Sequence, residues 1–289
     1  MLTIYLLYEY DWTNLKCGVV AFMWSTFYRE MVDRNIGVIS AEEQEKLRKS
    51  CVSVAGCGGM GGISAEQLVR LGVGHVKIAD FDQFQIHNLS RQNGSTFFNI
   101  CTHKAVVLAQ YFQAINPELK LEVFTEGVQP ENVEEFLFGA DAVIDAIDYT
   151  EFFNSAILHR EARKQGLCVV NPGAIGFGVA VLVFGPKTAD IETYVGLERG
   201  GSRSEIEAFS VPMQKFCPHL PSYVDPEIAM KAATGQINIP NIIMPQHLGS
   251  AISVSEVVMM ILGRISEPAG PAPRTFVIDL QERRLEVRG

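Results

Sequence analysis

The feature that most constrains this chain is a glycine-rich turn between an apolar run and a helical pattern. Gly56, Gly58 and Gly61 follow the run Val52 to Ala55 with the spacing G-x-G-x-x-G. Glycines in such a turn let the backbone bend sharply and let its N–H groups approach phosphate oxygens at the start of a helix. The order predicts a strand, a phosphate-binding loop and a helix, which together begin a β–α–β unit.

A carboxylate follows at the position where such units bind a ribose. Asp80 comes after a second strand-like run, about twenty residues beyond the turn, where a carboxylate can accept hydrogen bonds from ribose hydroxyls. The glycine spacing alone is weak evidence, but strand, turn, helix, second strand and acid all agree here. The sequence therefore predicts nucleotide binding rather than a purely structural turn.

Alternating strands and helices predict an α/β fold of the Rossmann-like, doubly wound type with a mainly parallel sheet. A capping box at Ser40 and Glu43 begins a short helix before the first strand. The periodicity then predicts, in order, a helix over 102–115, a strand over 121–125, a helix over 131–138, a strand over 142–147, a helix over 151–164 and a strand over 167–171.

The C-terminal part departs from this alternation. From Ala174 to Pro186 we expect one long strand, antiparallel and at the edge of the sheet. Residues 186–246 show weak periodicity and predict an insertion of short helices that crosses over the site, because a structureless loop of this length is improbable. A helix over 248–262 and a hairpin over 275–280 and 285–288 complete the expectation.

Composition limits the class of protein. The chain has 289 residues, 47% of them hydrophobic, and a formal net charge of −9, which disfavours a DNA-binding protein because such proteins present a basic face. None of its six cysteines form a C-x-x-C pair. We therefore expect free thiols in a reducing compartment, namely the cytoplasm.

The N-terminal extension, residues 1–32, is apolar but does not predict a membrane span. Glu9, Asp11 and Lys16 interrupt it, so no uncharged stretch is long enough to cross a bilayer. We expect a strand and then a helix over about residues 19–32, packed on the domain or on a partner subunit. Residues 33–289 would form the main domain.

Several of these motifs together resemble one family. The stretches GCGGMGG and ADFDQFQIHNLSRQ, then Lys104, Ile115-Asn116-Pro117 and VIDAID, resemble the ThiF/MoeB/HesA family, the bacterial relatives of ubiquitin-activating enzymes. The resemblance is close over residues 34–186. It implies ATP-dependent activation of a carboxylate as an acyl-adenylate, with release of pyrophosphate, by a homodimeric adenylyltransferase.

The resemblance also assigns roles to residues. It implies that Asp80 binds the ribose, that Asn88, Arg91 and Lys104 bind the phosphates, and that Asp148 holds Mg²⁺ near the α-phosphate. Arg34 would reach the γ-phosphate of the other subunit. Gly56, Gly58, Gly59, Gly61, Asp82 and Gln92 complete the expected nucleotide site. For Arg91 and Lys104 the alternative is a surface ion pair.

Three positions depart from the family pattern. Tyr149 stands where the family usually has Asn, and Phe153 where it often has Arg. The Gly-Pro turn that usually precedes the lysine reads Cys101-Thr102-His103. The two C-x-x-C pairs that bind a structural zinc in many relatives do not occur, so we expect no zinc.

Cys217 is the only cysteine of the insertion and lies near His219. A thiol beside a histidine can be activated as a thiolate, so Cys217 is a candidate for forming a thioester with the activated acyl group. It lies in no clear family motif, and a structural thiol is the competing interpretation.

Three functions remain open from the sequence. The leading one is an adenylyltransferase whose partner is a ubiquitin-like sulfur-carrier protein, a peptide or a small-molecule carboxylate, without DNA or a membrane. The second is an NAD-dependent oxidoreductase, which N-L-x-R-Q and Lys104 disfavour because a dinucleotide needs no cations arranged for a triphosphate. The third is a non-catalytic nucleotide-binding subunit, which Tyr149 and Phe153 keep open.

Overall fold

The structure, a computed structural model, describes residues 24–234, 236–237 and 239–288. The strand expected in the N-terminal extension lies outside these residues. The described part of that extension forms a helix, α1, at Thr26–Met31, with the side chain of Ser25 capping its first turn. Within the described ranges no helix is both long and apolar enough to span a bilayer.

Eight strands form a single sheet in the order β3-β2-β1-β4-β5-β6-β7-β8. The first five strands are parallel to one another, and β6, β7 and β8 continue the sheet, each antiparallel to the strand before it. The strands are β1 Cys51–Ala55, β2 His75–Ala79, β3 Lys120–Phe124, β4 Ala142–Asp145, β5 Val169–Ile175, β6 Gly178–Phe184, β7 Arg274–Asp279 and β8 Arg284–Arg288.

Helices cover both faces of the sheet, so the predicted doubly wound α/β fold is confirmed. Between the sheet and the helices on one face lie the side chains of Leu68, Leu108 and Val257, and on the other face those of Phe136 and Leu158. All five side chains are fully buried. The remaining helices are α2 Ala41–Lys49, α3 Gly59–Arg70, α4 Lys104–Ile115, α5 Val133–Leu137, α6 Phe152–Lys164, α7 Ile191–Val195, α8 Arg203–Ala208, α9 Met213–Phe216, α10 Pro226–Ala233 and α11 Ile243–Leu262. The predicted capping box at Ser40 and Glu43 is present.

The single edge strand predicted from Ala174 is wrong. The chain reverses at Gly176, whose φ of +58° lies in the left-handed region that favours glycine. The residues before the reversal extend β5, and those after it form β6, which lies between β5 and β7. The hairpin predicted at the C-terminus is confirmed as β7 and β8, and β8 is one edge of the sheet.

A second correction concerns the end of β4. The sequence predicts that this strand continues to Ile147 and ends at Asp148, whereas β4 ends at Asp145. The Asp145 carboxylate accepts a hydrogen bond from the N–H of Ile147 at 3.2 Å, which turns the backbone out of the sheet. Asp148 then caps a short 3-10 helix at Tyr149–Glu151.

Candidate active site

The glycine turn joins β1 to α3 without room for side chains. Gly56 has a φ of +90°, and its N–H donates to the carbonyl oxygen of Ala79 at 2.7 Å. A Cβ on Gly56 would overlap the carbonyl oxygen of Ala146, and one on Gly61 would overlap that of Gly56. Gly58 is the N-cap of α3 and has no side chain that could occupy the N–H groups of the first turn. The first turn of α3 therefore has no side-chain cap from its N-cap residue, as in helices whose amino end binds an anion.

Asp80 follows β2 directly and braces the glycine turn. One carboxylate oxygen accepts from the N–H of Cys57 at 2.6 Å, and the other accepts from the N–H of Asp82 at 2.7 Å. Burial raises the pKa of the Asp80 carboxyl, and the ammonium of Lys104 acts in the opposite direction. Each carboxylate oxygen can accept more than one hydrogen bond, so capacity remains for ribose hydroxyls. The contact with a ribose stays a prediction.

Lys104 is a buried cation rather than a solvated surface lysine. It is the first residue of α4 and only 6% exposed, and its Nζ lies 2.9 Å from Oδ2 of Asp82. Its backbone N–H donates to the carbonyl oxygen of Asp82 at 2.9 Å, which holds the two residues together. A cation at a helix start opposes the helix dipole, and the anionic partner offsets this cost.

The turn before Lys104 shows how this chain replaces the Gly-Pro of the family pattern. Cys101 has a φ of +63°, a backbone conformation that residues other than glycine rarely adopt. Two backbone hydrogen bonds hold it there: Cys101 donates to Phe84 at 2.8 Å, and Phe84 donates to Thr102 at 2.9 Å. The approach to Lys104 therefore contains a left-handed residue that is a cysteine.

The loop after β2 carries three predicted site residues to the glycine turn. Asn88 is buried, and its Oδ1 accepts from the N–H of Gln85 at 2.8 Å. The guanidinium of Arg91 donates to the carbonyl oxygen of His87 at 2.9 Å. Gln92 lies beside Gly58, and its Oε1 is buried with no hydrogen-bond partner among the described residues. These contacts orient the loop toward the amino end of α3.

Arg91 and Asp148 lie within electrostatic reach of each other across this opening. Burial lowers the pKa of the Arg91 guanidinium, while the Asp148 carboxylate acts to raise it. Oδ1 of Asp148 accepts from the N–H of Thr150 at 3.0 Å and from its hydroxyl at 2.8 Å. Oδ2 of Asp148 takes part in no hydrogen bond with the described residues. Asp148 is exposed, so this oxygen can face a ligand.

Asp145 has a structural role. It is fully buried, and its carboxylate accepts hydrogen bonds from Ser155, from His159 at 3.1 Å and from Asn171 at 3.1 Å. These partners come from α6 and β5, so one carboxylate ties both elements to the end of β4. The network fixes the backbone from which Asp148 projects.

The two substituted positions hold the insertion in place. The hydroxyl of Tyr149 donates to the carbonyl oxygen of Val211 at 2.8 Å, and its ring contacts Phe216 edge to face. The guanidinium of Arg203 lies over the ring of Phe153, 4.8 Å from its centroid. Both aromatic residues therefore contact the insertion. The predicted short helices are present there as α7, α8, α9 and α10.

His219 contacts the C-terminal hairpin. Its Nε2 lies 2.6 Å from a carboxylate oxygen of Glu282, and its Nδ1 accepts from Arg284 at 3.0 Å. The tautomer with hydrogen on Nε2 satisfies both contacts. Cys217 is half-buried, and burial raises the pKa of its thiol to about 11. The thiol is therefore protonated at neutral pH, and a thioester at Cys217 stays a prediction.

Arg34 lies in a 3-10 helix at Asp33–Asn35 and is exposed. Its predicted reach into a second subunit stays a prediction.

Sequence reasoning missed residues that brace the site from other helices. Glu66 of α3 accepts a hydrogen bond from Asn93, next to Gln92, and so anchors the loop of Arg91. Gln246 of α11 lies against Gly59. Glu66 lies in no recognised motif, and Gln246 lies about 190 residues from Gly59 in the sequence, so no local pattern indicated either residue.

The residues present fit ATP with Mg²⁺. The glycine turn offers backbone N–H groups, Lys104 and Arg91 supply cations, and Oδ2 of Asp148 forms no hydrogen bond with the described residues. Mg²⁺ is often bound by one or two carboxylates together with substrate phosphates, so a single carboxylate suffices here. In the described part of the chain no group of three or more His, Cys, Asp or Glu side chains is placed to hold a metal ion by itself.

The fold and the glycine turn together define a doubly wound α/β domain with a tight, glycine-rich turn between β1 and α3. The ThiF family matches residues 32–284, and the chain belongs to the ThiF family.

Curated relatives match part of the chain. A sulfur carrier protein adenylyltransferase of Thermus thermophilus is 34% identical over 122 residues, which are 42% of this chain and 44% of the relative. The tRNA threonylcarbamoyladenosine dehydratase of Escherichia coli is 34% identical over 126 residues, or 43% of this chain and 46% of the relative. The matches thus span less than half the length of these relatives.

Solved structures agree in fold. A crystal structure of PaaA has a TM-score of 0.69 at 19% identity, and the match covers 94% of this chain and 76% of PaaA. E. coli MccB with ATP has a TM-score of 0.61 at 16% identity, covering 86% of this chain and 65% of MccB. At these identities the likeness concerns the fold.

Proposed function

We propose that this chain is an ATP-dependent adenylyltransferase that activates a carboxylate as an acyl-adenylate. The observation that carries the proposal is the glycine turn at the amino end of α3, which Asp80 braces within electrostatic reach of Lys104. The loop after β2 adds Arg91, which lies within electrostatic reach of Asp148. The family and the named adenylyltransferase among its relatives support the same reaction class.

The proposed reaction is a substitution at the α-phosphorus of ATP. A carboxylate oxygen of the substrate forms a bond to this phosphorus, the bond to the bridging oxygen breaks, and pyrophosphate leaves with the electron pair. Two anions must approach each other, so Lys104 and Arg91 offset the repulsion and stabilise charge that spreads onto the leaving group. Mg²⁺ held by Asp148 would neutralise further phosphate charge. The reaction needs no protein nucleophile.

Before the nucleotide binds, Asp82 determines the orientation of the Lys104 ammonium. Their ion pair, at 2.9 Å, keeps the ammonium oriented while the phosphates are absent. Asp82 is exposed on 54% of its side-chain surface, so solvent screens the pair and limits its strength. A phosphate can therefore share or take over the ammonium at small cost.

The class of substrate is part of the proposal. Relatives are named for a sulfur carrier protein and for SAMP, and MccB is solved with MccA. We propose for this chain a carboxylate at the end of a ubiquitin-like sulfur carrier or a peptide, or on a small molecule. The proposed enzyme is a homodimer in which Arg34 completes the site of its partner.

ATP–pyrophosphate exchange in the presence of candidate carboxylates tests the reaction. Arg91→Ala, Lys104→Ala and Asp148→Asn should each lower exchange by about a hundredfold or more, because each removes charge stabilisation of the transition state. Lys120→Ala is the matched control, since Lys120 forms an exposed ion pair with Glu122 on β3. Exchange that survives all three site variants would contradict the proposal.

A non-catalytic nucleotide-binding subunit is the second candidate. It is favoured by Tyr149 and Phe153, which contact the insertion at positions where the family pattern has Asn and Arg. ATP binding without exchange, for any carboxylate, would support it. Tight NAD binding that is insensitive to Arg91→Ala and Lys104→Ala would instead support the oxidoreductase.

A further inference from the structure

Gln246 is a buried polar residue that contacts the glycine turn from another part of the chain. It lies in the first turn of α11 and is only 3% exposed. A Cβ on Gly59 would overlap Oε1 of Gln246 and would lie 2.8 Å from its Cδ. Gly59 is the first residue of α3, so the carboxamide oxygen lies at the anion-binding end of that helix.

The same side chain reaches the end of the insertion. Its Nε2 donates to Oδ1 of Asn241 at 2.5 Å, two residues before α11 begins. Further along α11, the hydroxyl of Ser250 donates to the carbonyl oxygen of Met60 at 2.8 Å, and a Cβ on Gly249 would lie 2.8 Å from Cε of Met60. The start of α11 is thus fitted closely to the first turn of α3.

A carboxamide suits this position because it is neutral and carries both a donor and an acceptor. Gln92 provides a second carboxamide on the other side of the turn, beside Gly58, with its oxygen buried and unpaired among the described residues. A carboxylate in place of either group would put a negative charge beside the phosphates. Neutral polar groups can line the same opening without repelling them.

We propose that Gln246 is a positioning residue of the nucleotide site, which fixes the first turn of α3 and couples it to the end of the insertion. This rests on the proposed function, because it requires a nucleotide phosphate at the glycine turn. A bound triphosphate then holds residues 239–246 in place through Gln246 and Asn241. The insertion thereby responds to the nucleotide through contacts at its C-terminal end.

Gln246→Glu tests this role, because glutamate has nearly the same size as glutamine but adds a negative charge and removes the Nε2–H group that donates to Asn241. ATP affinity, measured by titration calorimetry on the full chain, should fall by about tenfold or more, since like charges repel at short range. The melting temperature of the variant, measured in parallel, shows that the chain is folded during the titration. His247→Glu is the matched control: it adds the same acidic side chain one residue away at an exposed position, and ATP affinity should be retained.

Hydrogen exchange tests the coupling. ATP should slow exchange at residues 239–249 in the parent chain, and Gln246→Ala should abolish this protection while ATP is present at saturating concentration. Gly59→Ala should lower the melting temperature, and Gln246→Ala in the same chain should restore most of it, because the overlap is relieved.

The outcomes separate this inference from the proposed function. Unchanged ATP affinity in Gln246→Glu, or no nucleotide-dependent protection at residues 239–249, would overturn the inference while pyrophosphate exchange by the parent chain could still stand. A parent chain that binds no ATP would overturn both. A parent chain that binds ATP without exchange would overturn only the adenylyltransferase, since the coupling needs binding alone.

Discussion

The glycine turn and the insertion both contact the loops that follow the parallel strands, but different interactions hold them there. Backbone contacts define the turn: a Cβ on Gly56 or Gly61 would overlap a carbonyl oxygen. Side chains hold the insertion: the ring of Phe216 lies against Tyr149, and Arg203 lies over Phe153. One region tolerates almost no side chain, and the other depends on several.

This difference explains how the amino-acid sequence of each region can vary. A backbone turn restricts the residue type at fixed spacing, because only glycine fits, so its pattern is readable within a few residues. Side-chain packing restricts pairs of residues that are about 50 to 70 positions apart, and many pairs can pack equally well. The nucleotide side of the site therefore keeps its family motif, whereas Tyr149 and Phe153 can change together with the insertion.

The largest expected effect comes from adding one carbon to the turn. Gly56→Ala combines a φ of +90° with overlap against Ala146, whereas Gly196 has a φ of +92° and no atom within 4 Å of an added Cβ. The left-handed conformation alone costs about 1–2 kcal/mol, and overpacking adds about 1–3 kcal/mol. Urea unfolding should show a loss of about 3 kcal/mol or more for Gly56→Ala and about 1 kcal/mol for Gly196→Ala. Equal losses would show that the overlap is relieved at no cost.

The next effect concerns the thiol of Cys217 in the insertion. Burial raises its pKa to about 11 from an ordinary value of 9.0. The shift is upward, so the reactive thiolate is scarcer at every pH below 9, by about a hundredfold. Alkylation by iodoacetamide, followed by peptide mass spectrometry from pH 7 to 11, should label exposed Cys101 first, and Cys217 labelling should still be rising at pH 10.

A half-maximal labelling rate of Cys217 near pH 8 would contradict that burial. It would also support Cys217 as a nucleophile that is already a thiolate near neutral pH in the chain without ligands, with the proposed thioester as its product. The same labelling repeated with ATP and a carboxylate substrate would show whether the thiol becomes reactive only when the site is filled.

Much of the fold was predictable because it follows from local rules. Helical periodicity marked α4 and α11, and the glycine turn with Asp80 marked the first β–α–β unit. The reversal at Gly176 was missed because alternating small and large apolar residues continue through it from β5 into β6. The predicted strand ran to Ile147, directly before Asp148, because the hydrogen bond from the Ile147 N–H to the Asp145 carboxylate, which ends β4, depends on a side-chain orientation that apolar spacing does not show.

The candidate site likewise has residues that local motifs indicate and contacts that depend on tertiary packing. Local motifs located the turn at Gly56 and the carboxylate of Asp80 that braces it, while their binding of a nucleotide stays a prediction. The ion pair between Lys104 and Asp82 was not predicted, because it depends on how the loop after β2 pairs with the turn before α4. Gln246 was missed because it approaches Gly59 only after α11 has packed on α3.

The smallest expected effect tests how strongly a single side-chain pair holds the insertion. A double-mutant cycle with Phe153→Ala and Arg203→Ala isolates the contact between ring and guanidinium, because each single variant subtracts its own packing loss. We expect a coupling of about 0.5–1 kcal/mol in urea unfolding.

The ion pair that Arg203 forms with Glu207 in the same helix is the internal reference. It is exposed, so its cycle should give only about 0.3–0.5 kcal/mol, and added salt should weaken it further. A coupling to Phe153 no larger than this reference would mean that the aromatic ring at 153 contributes little to the position of α8. In that case Tyr149 and Phe216 would carry the attachment of the insertion, and Phe153 would again be available for contacts with a substrate.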